Sequence, residues 1–270
     1  MLYFHSWSGG KDSTASVILD HIHGLPPSTI IFSEVMFDKK RGISGELPEH
    51  IDFVMNKAKP LFESWGYKVE IVRAGKDYID LFHHIVERSS KPERIGKKCG
   101  FLIGGRCSGN RELKIRPIKD FYKALDLEGA EYTQYVGIAI DEPIRLDRLK
   151  GTNKISLLEQ FGYTERMAFD LCEEYDLISP IYEISRRGGC WFCPNQSYSQ
   201  IAWLKRTHPE LWDELRRLSE EENTISTRFK YEDSFADADR KANAINARLE
   251  MEAAQLNLFE LLQIKEGYSI

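Results

Sequence analysis

The chain has 270 residues, 42% of them hydrophobic and 29% charged, with a formal net charge of −5. That is an ordinary globular composition, long enough for one large α/β domain or a domain with a smaller appendage. The negative balance excludes a general attraction to nucleic acid or anionic membrane, and no run of residues is apolar and long enough to span a bilayer.

No basic segment precedes an apolar one at the N-terminus, so no secretory leader is expected and the cytoplasm is the expected compartment. There the five cysteines are expected as thiols or metal ligands rather than disulfides.

Residues 2–7 are rich in aromatics and read as a strand. Val17, Ile18, Leu19 and Ile22 recur at helical spacing over 13–23, and Gly24 is a stop signal. Pro26 and Pro27 mark a turn. Ile30, Ile31 and Phe32 predict a strand over 29–37 buried on both faces. A helix is expected over 48–65, bent or interrupted near Pro60 and ended by Gly66. Residues 67–72 alternate as a strand, and 78–88 read as a helix. The stretch 89–110, rich in Gly, Lys and Arg, reads as irregular.

Pro117 opens a helix over 118–125, and 132–140 reads as a strand. A helix over 164–175 has Thr164 as its N-cap and Glu165 in its first turn. Residues 199–218 read as a helix broken near His208 and Pro209, and 236–264 as a final helix. The alternation of strand and helix predicts an α/β fold, a doubly wound and mainly parallel sheet with a helical C-terminal region.

The chemistry begins at Ser8-Gly9-Gly10-Lys11-Asp12-Ser13-Thr14. Glycines after a strand let the backbone approach an anion, and the following helix aims its free N–H groups and positive dipole end at it. Ser6, Ser8, Ser13 and Thr14 add hydroxyls, and Lys11 adds a charge. The pattern G-x-x-x-x-G-K-S/T is absent, so this is not the signature of P-loop kinases and GTPases. The plain alternative is a glycine turn into a helix capped by Asp12 or Ser13.

The string resembles the PP-loop of the N-type ATP pyrophosphatase superfamily. Further blocks follow in order. Arg106-Cys107 precedes Leu113-Lys114-Ile115-Arg116-Pro117-Ile118. Gly137-Ile138-Ala139-Ile140-Asp141-Glu142 leads to Arg145, and Gly189-Cys190-Trp191-Phe192-Cys193-Pro194 closes the series. These are similar to blocks of the phosphoadenosine phosphosulfate (PAPS) reductase-like branch, except that Ala139 stands where that branch carries arginine.

The resemblance implies an adenine nucleotide alpha hydrolase-like fold. It implies ATP bound by Ser6, Ser8, Gly9, Gly10, Lys11, Asp12, Ser13, Thr14, Arg106, Lys114 and Arg145, with Mg2+ and with Lys11 and Asp12 as catalytic residues. The implied reaction joins AMP to a substrate and releases pyrophosphate, with sulfur transfer as a candidate second step. A nucleotide-binding domain over 1–150 would carry it, with the Cys-x-x-Cys block and helical region of 151–270 packed on it.

Two alternatives stand beside that reaction. A PAPS or adenylyl-sulfate reductase uses a cysteine near its C-terminus, and no cysteine follows Cys193 in this sequence. A nucleotide sensor or scaffold would bind without turnover. The expected partners are ATP and an acceptor that is either nucleic acid or a small anion, with no membrane, and the charged final helix is a candidate element of a homo-oligomer.

Cys190 and Cys193 at x2 spacing, with Cys99 and Cys107 in glycine-rich surroundings, suit a four-thiolate metal centre. A 4Fe-4S cluster is expected over Zn2+, whose sites have closer pairs, and a redox dithiol is the metal-free alternative. Cys172 falls on a helix beside Ala168 and Phe169 and reads as a core residue. The basic residues between Arg88 and Lys123 form either an anion funnel or a solvated face. Glu34, Asp38 and Glu46 follow the second strand and read as solvated loop carboxylates, with binding of Mg2+ or ribose as the alternative.

Overall fold

The structure, a computed structural model, describes residues 1–103, 107–127, 129–185 and 189–267, with the backbone alone at 127 and 256–267. The chain forms two compact units. One comprises Met1–Leu81 with Cys107–Cys190, and the other Phe82–Arg106 with Trp191–Ile270. The expected boundary at 150 does not match this division. The helices between 157 and 184 join the first unit because their apolar faces pack on its core, and 82–106 leaves that unit to join the last eighty residues.

Five strands build the sheet of the first unit: β1 (Leu2–Trp7), β2 (Ser28–Ser33), β5 (Lys68–Val72), β6 (Tyr132–Val136) and β7 (Lys154–Ile155). Their order is β5-β2-β1-β6-β7, and every pairing is parallel. Short strands β3 (Met36–Asp38) and β4 (Ile43–Ser44) form a separate antiparallel pair. Helices cover both faces, as parallel sheets require. On one face lie α1 (Lys11–His23), α2 (Pro48–Asp52), α3 (Lys59–Ser64), α7 (Leu157–Gln160) and α8 (Glu165–Glu174). On the other lies α5 (Arg116–Leu127), which packs through Tyr122 on Phe4 and Ile31. The remaining helices of this unit are α4 (Tyr78–His83, whose last two residues fall in the second unit), α6 (Pro143–Leu146) and α9 (Ile181–Ile184).

The pleat of β1 explains where its side chains go. Alternate residues face opposite sides, so Trp7 joins the α1 face while Phe4 joins the α5 face. His5 Nε2 donates to Asp20 Oδ2 at 2.6 Å, and Ser28 Oγ donates to the same oxygen at 2.8 Å. This buried triad fastens β1 and β2 to α1. Residues 13–20 of α1 are buried without interruption, so the helix is enclosed by sheet and neighbouring helices rather than lying on the surface.

Prolines inside helices leave a visible mark. Residues 53–58 and 110–115 are π-helical, and each π segment ends just ahead of a proline. Lys59 N donates to Val54 O and Arg116 N to Arg111 O, five residues back. The wider turn seats Pro60 and Pro117, which have no N–H to give and would clash in a tight turn. The expected interruption near Pro60 therefore takes this form, and the helix of Pro117 continues from a π turn that begins at Asn110 rather than opening at the proline.

Other boundaries differ from the sequence pattern for local reasons. The second strand ends at Ser33, not 37. Glu34 N still reaches Val72 O, but Phe37 turns away to stack on Tyr78. An apolar run reads alike whether it stays in the sheet or packs elsewhere. Strand β6 stops at Val136 because Gly137 meets the start of α1. Helix α4 stops at His83, and Ile85 instead bridges to Lys98. Thr164 caps α8 as expected, accepting from Met167 N at 3.2 Å.

The second unit is helical: α10 (Tyr198–Thr207), α11 (Pro209–Ser219) and α12 (Phe235–Gly267), with the expected break at His208. Its core is aromatic, with Phe101, Trp212, Phe229 and Phe235 in mutual ring contact. Lys205 Nζ and Trp212 Nε1 each donate to Asp239 at 2.6 Å, tying α10 and α11 to α12. Among the described residues no helix is long and apolar enough to cross a membrane.

Candidate functional site

Strand β1 lies between β2 and β6, where the strand order reverses. In open parallel sheets the crevice beyond the carboxyl ends of the strands at that point is where ligands bind. The chain leaves β1 at Trp7, turns through Ser8, Gly9 and Gly10, and starts α1 at Lys11. Gly9 has φ +71°, and a Cβ there would stand 2.5 Å from His50 Cε1, so conformation and packing both demand glycine. Gly10 is the N-cap and provides no side-chain cap, which leaves the positive end of a 13-residue helix facing the crevice.

The loop is braced from within. Ser13 Oγ donates to Gly10 O at 2.9 Å and accepts from Ser8 N at 3.2 Å. Lys11 N donates to the Tyr182 hydroxyl at 2.7 Å, and burial pushes that phenol up to about 12. On the far side, a Cβ on Gly137 would fall 2.5 Å from Asp12 C and 2.7 Å from Ser13 Cα. The end of β6 therefore touches the backbone of the loop, which only glycine permits.

The resulting cavity has a volume of about 620 Å3 and is lined by Ser8, Gly10, Lys11, Asp12, Ser13, Glu46, His50, Lys114, Gly137, Glu142, Arg145, Glu165, Ile181, Tyr182 and Gly189. Each lysine or arginine in that lining faces carboxylate. Lys11 Nζ lies 2.7 Å from Asp12 Oδ1 and 3.4 Å from Glu165 Oε2. Arg145 Nη1 lies 2.5 and 2.6 Å from the two Glu142 oxygens. Lys114 Nζ lies 3.7 Å from Glu46 Oε1. The Lys11 and Arg145 pairs are partly open to solvent, and pairs of this kind are worth little on balance, so an entering polyanion can take over these two cations.

The titrating groups bear the mark of this setting. Burial pushes the Asp12 carboxyl up, the Lys11 ammonium opposes it, and the charges of Glu165 and Glu142 push it further up. The Glu46 carboxylate holds Lys114 above the usual lysine range, against the opposing effect of burial. His50 is 3% exposed, and burial lowers its pKa. Its Nε2 donates to Ser8 O at 3.0 Å, so Nδ1 accepts from Ser179 Oγ at 2.8 Å, and the ring is a neutral brace under the loop.

Of the expected site residues, Ser8, Gly10, Lys11, Asp12, Ser13, Lys114 and Arg145 line one cavity, and Gly9 makes its turn. Two do not line it. Ser6 points to the opposite face of β1, where it meets the Tyr122 hydroxyl at 3.3 Å and the Gln134 amide. Thr14 is fully buried and accepts from Trp7 Nε1 at 2.9 Å. Strand alternation and helix rotation turn these two hydroxyls away from the loop. Arg106 lies outside the described residues.

Sequence reasoning did not single out His50, Tyr182 or Glu165 as site residues. They arrive from distant elements and carry no local motif. Glu34 and Glu46 are not solvated loop residues. Both are buried, and Arg73 engages Glu34 at 2.5 Å. Part of the basic run is consumed internally, since Arg111 and Arg116 both pair with Glu112.

Cys107 and Cys190 belong to the first unit, Cys99 and Cys193 to the second. Among the described residues no three His, Cys, Asp or Glu side chains converge as metal ligands. Cys172 is fully buried, donates to Lys11 O at 3.2 Å, and has its thiol pushed up to about 12 by burial. It is a core residue that also steadies the start of α1.

No protein-family model and no curated protein matches the sequence. Among solved structures, the chain is similar to phosphoadenylyl-sulfate (PAPS) reductase from Candida auris in its phosphate complex, with 14% identity and a TM-score of 0.44. The match covers 72% of this chain and 83% of the reductase chain. At that score the fold rests on the strand order and pairing described above.

Proposed function

We propose that the first unit binds ATP through the Ser8–Ser13 loop and transfers its adenylyl group to an acceptor, releasing pyrophosphate. One observation carries this reading. A helix start whose N-cap residue has no capping side chain, a positive-φ glycine, two serines and Lys11 converge at the strand-order reversal of a parallel sheet, in a polar cavity. That is the construction that backbone N–H groups and a helix dipole need to hold phosphate.

In the reaction an acceptor oxygen attacks the α-phosphorus, and the bond from that phosphorus to the bridging oxygen breaks. Pyrophosphate carries the electron pair away. Lys11 and the N-terminus of α1 stabilise charge on the leaving group, and such preorganised charge is the main catalytic term in phosphoryl chemistry. Lys114 and Arg145 are the further cations available to the phosphates. Asp12 suits Mg2+, which binds through one or two carboxylates and phosphate oxygens, because burial and neighbouring carboxylates leave its charge undercompensated. When bound, that ion would supply further neutralisation of the phosphates.

Attack of a sulfur nucleophile on the adenylated acceptor, with AMP leaving with the electron pair of the broken bond, and the four-cysteine centre are parts of the same proposal. Iron, sulfide and zinc analysis of anaerobically purified protein tests the centre. Pyrophosphate release from ATP, abolished in Asp12→Ala, tests the activity. Sulfite release from PAPS with thioredoxin would overturn it in favour of a reductase, and ATP binding without turnover across many acceptors would favour a sensor.

A further inference from the structure

Phosphate binding leaves one feature of the cavity unused. Glu46, between β4 and α2, lines the cavity but is only 3% exposed, and its Oε1 accepts no hydrogen bond from the described residues. Lys114 Nζ stands 3.7 Å from that oxygen, beyond hydrogen-bond length, on a side chain that is 30% exposed. Neighbouring His50 cannot serve Glu46, because both its ring nitrogens are engaged by Ser8 and Ser179. A buried carboxylate oxygen held only by a 3.7 Å ion pair is costly unless a ligand completes it.

Lys114 faces two demands. It covers Glu46, and it lines the same cavity as the phosphate loop. An incoming polyanion that draws Lys114 toward itself would leave Glu46 a buried and uncompensated charge, which is strongly unfavourable. A neutral amide would offer a hydrogen bond without the missing charge. A planar cation bearing N–H groups supplies both, and its two parallel donors match a carboxylate.

Building on the phosphate site above, we propose that Glu46 seats the acceptor substrate through an amidine or guanidine group, and that Lys114 is shared between Glu46 and the phosphates. The nucleotide then binds first and uncovers the acceptor seat. Glu46 is a positioning residue here, and the acceptor's nucleophilic oxygen is a separate group.

The test is calorimetric titration of the full chain with inorganic pyrophosphate and with methylguanidine. Pyrophosphate should bind about fivefold more tightly to Glu46→Gln than to the parent, because Lys114 is no longer shared. Methylguanidine should bind the pyrophosphate-loaded parent, at least about tenfold more weakly the free parent, and not Glu46→Gln. Glu46→Asp keeps the charge and should retain methylguanidine binding, which separates loss of the carboxylate from loss of fold. Equal or weaker pyrophosphate binding by Glu46→Gln overturns the proposal. So does methylguanidine binding that is absent from the loaded parent or unchanged in Glu46→Gln. Failure of pyrophosphate to bind the parent at all is a different result, and it refutes the phosphate site itself.

Discussion

Gly137→Ala is the sharpest mutational probe of how the sheet and the loop fit together. The new Cβ would lie 2.5 Å from Asp12 C and 2.7 Å from Ser13 Cα, against backbone rather than a side chain able to rotate away. Gly137 does not have a positive φ, so alanine costs nothing in conformation there and gains about 0.4–1 kcal/mol from a less flexible unfolded chain. Overpacking costs about 1–3 kcal/mol, and a Cβ this close to backbone falls in the upper half of that range, so the clash wins by about 1–2.6 kcal/mol. For a chain of this size the net loss corresponds to a melting decrease of roughly 2–10 °C. The relief available is a shift of the loop, so nucleotide binding should fall with stability. Gly75→Ala is the control, since its Cβ would meet nothing within 4 Å and its melting should hold or rise slightly. Differential scanning calorimetry and ATP titration read both effects. A Gly137→Ala protein that melts and binds ATP like its parent would refute the close approach of β6 to the loop.

Three further outcomes are expected. Gly9→Ala should lose nucleotide binding and stability together, because φ +71° and the His50 ring both oppose a Cβ, and the same two assays check it. Lowering pH below about 6.5 should destabilise the chain through His50. Its folded pKa is depressed, so the unfolded state takes up the proton first, and stability is full above the unfolded value and lost below it, by at most about 1.4 kcal/mol per pH unit. Urea midpoints from pH 7.5 to 5.5 should show a shallower slope in His50→Gln. Thr164→Ala removes the α8 cap and should cost about 1 kcal/mol in the urea midpoint without affecting ATP binding.

The sequence made the frame of this molecule legible because its strands and helices carry their own local signals. The glycine turn after β1, the stop at Gly24 and the cap at Thr164 are written in adjacent residues, and all appear in the structure. The loop half of the site was readable for the same reason, since Ser8 to Ser13 are consecutive. The other half was not. His50 and Tyr182 reach the loop from helices about 40 and 170 residues away, and nothing in their immediate sequence marks them. Ser6 and Thr14 stand beside the motif in sequence, but alternation and rotation send their hydroxyls to the far side of β1 and into the core. The interleaving of the two units was hidden because no linker composition marks the crossings at 82, 107 and 191.

The cavity at the end of β1 is proposed to hold the phosphates of ATP. Lys11 is the residue to remove, because it contributes charge to that cavity while sitting on the rim of α1 rather than in the core. Equilibrium titration of ATP and pyrophosphate against the parent and Lys11→Ala is the most direct measurement. Both ligands should bind the parent, and both should weaken by about tenfold or more in the variant, the loss of a charge-assisted contact, while its melting temperature stays close to the parent's. No binding to the parent, or equal binding to the variant, would contradict the account.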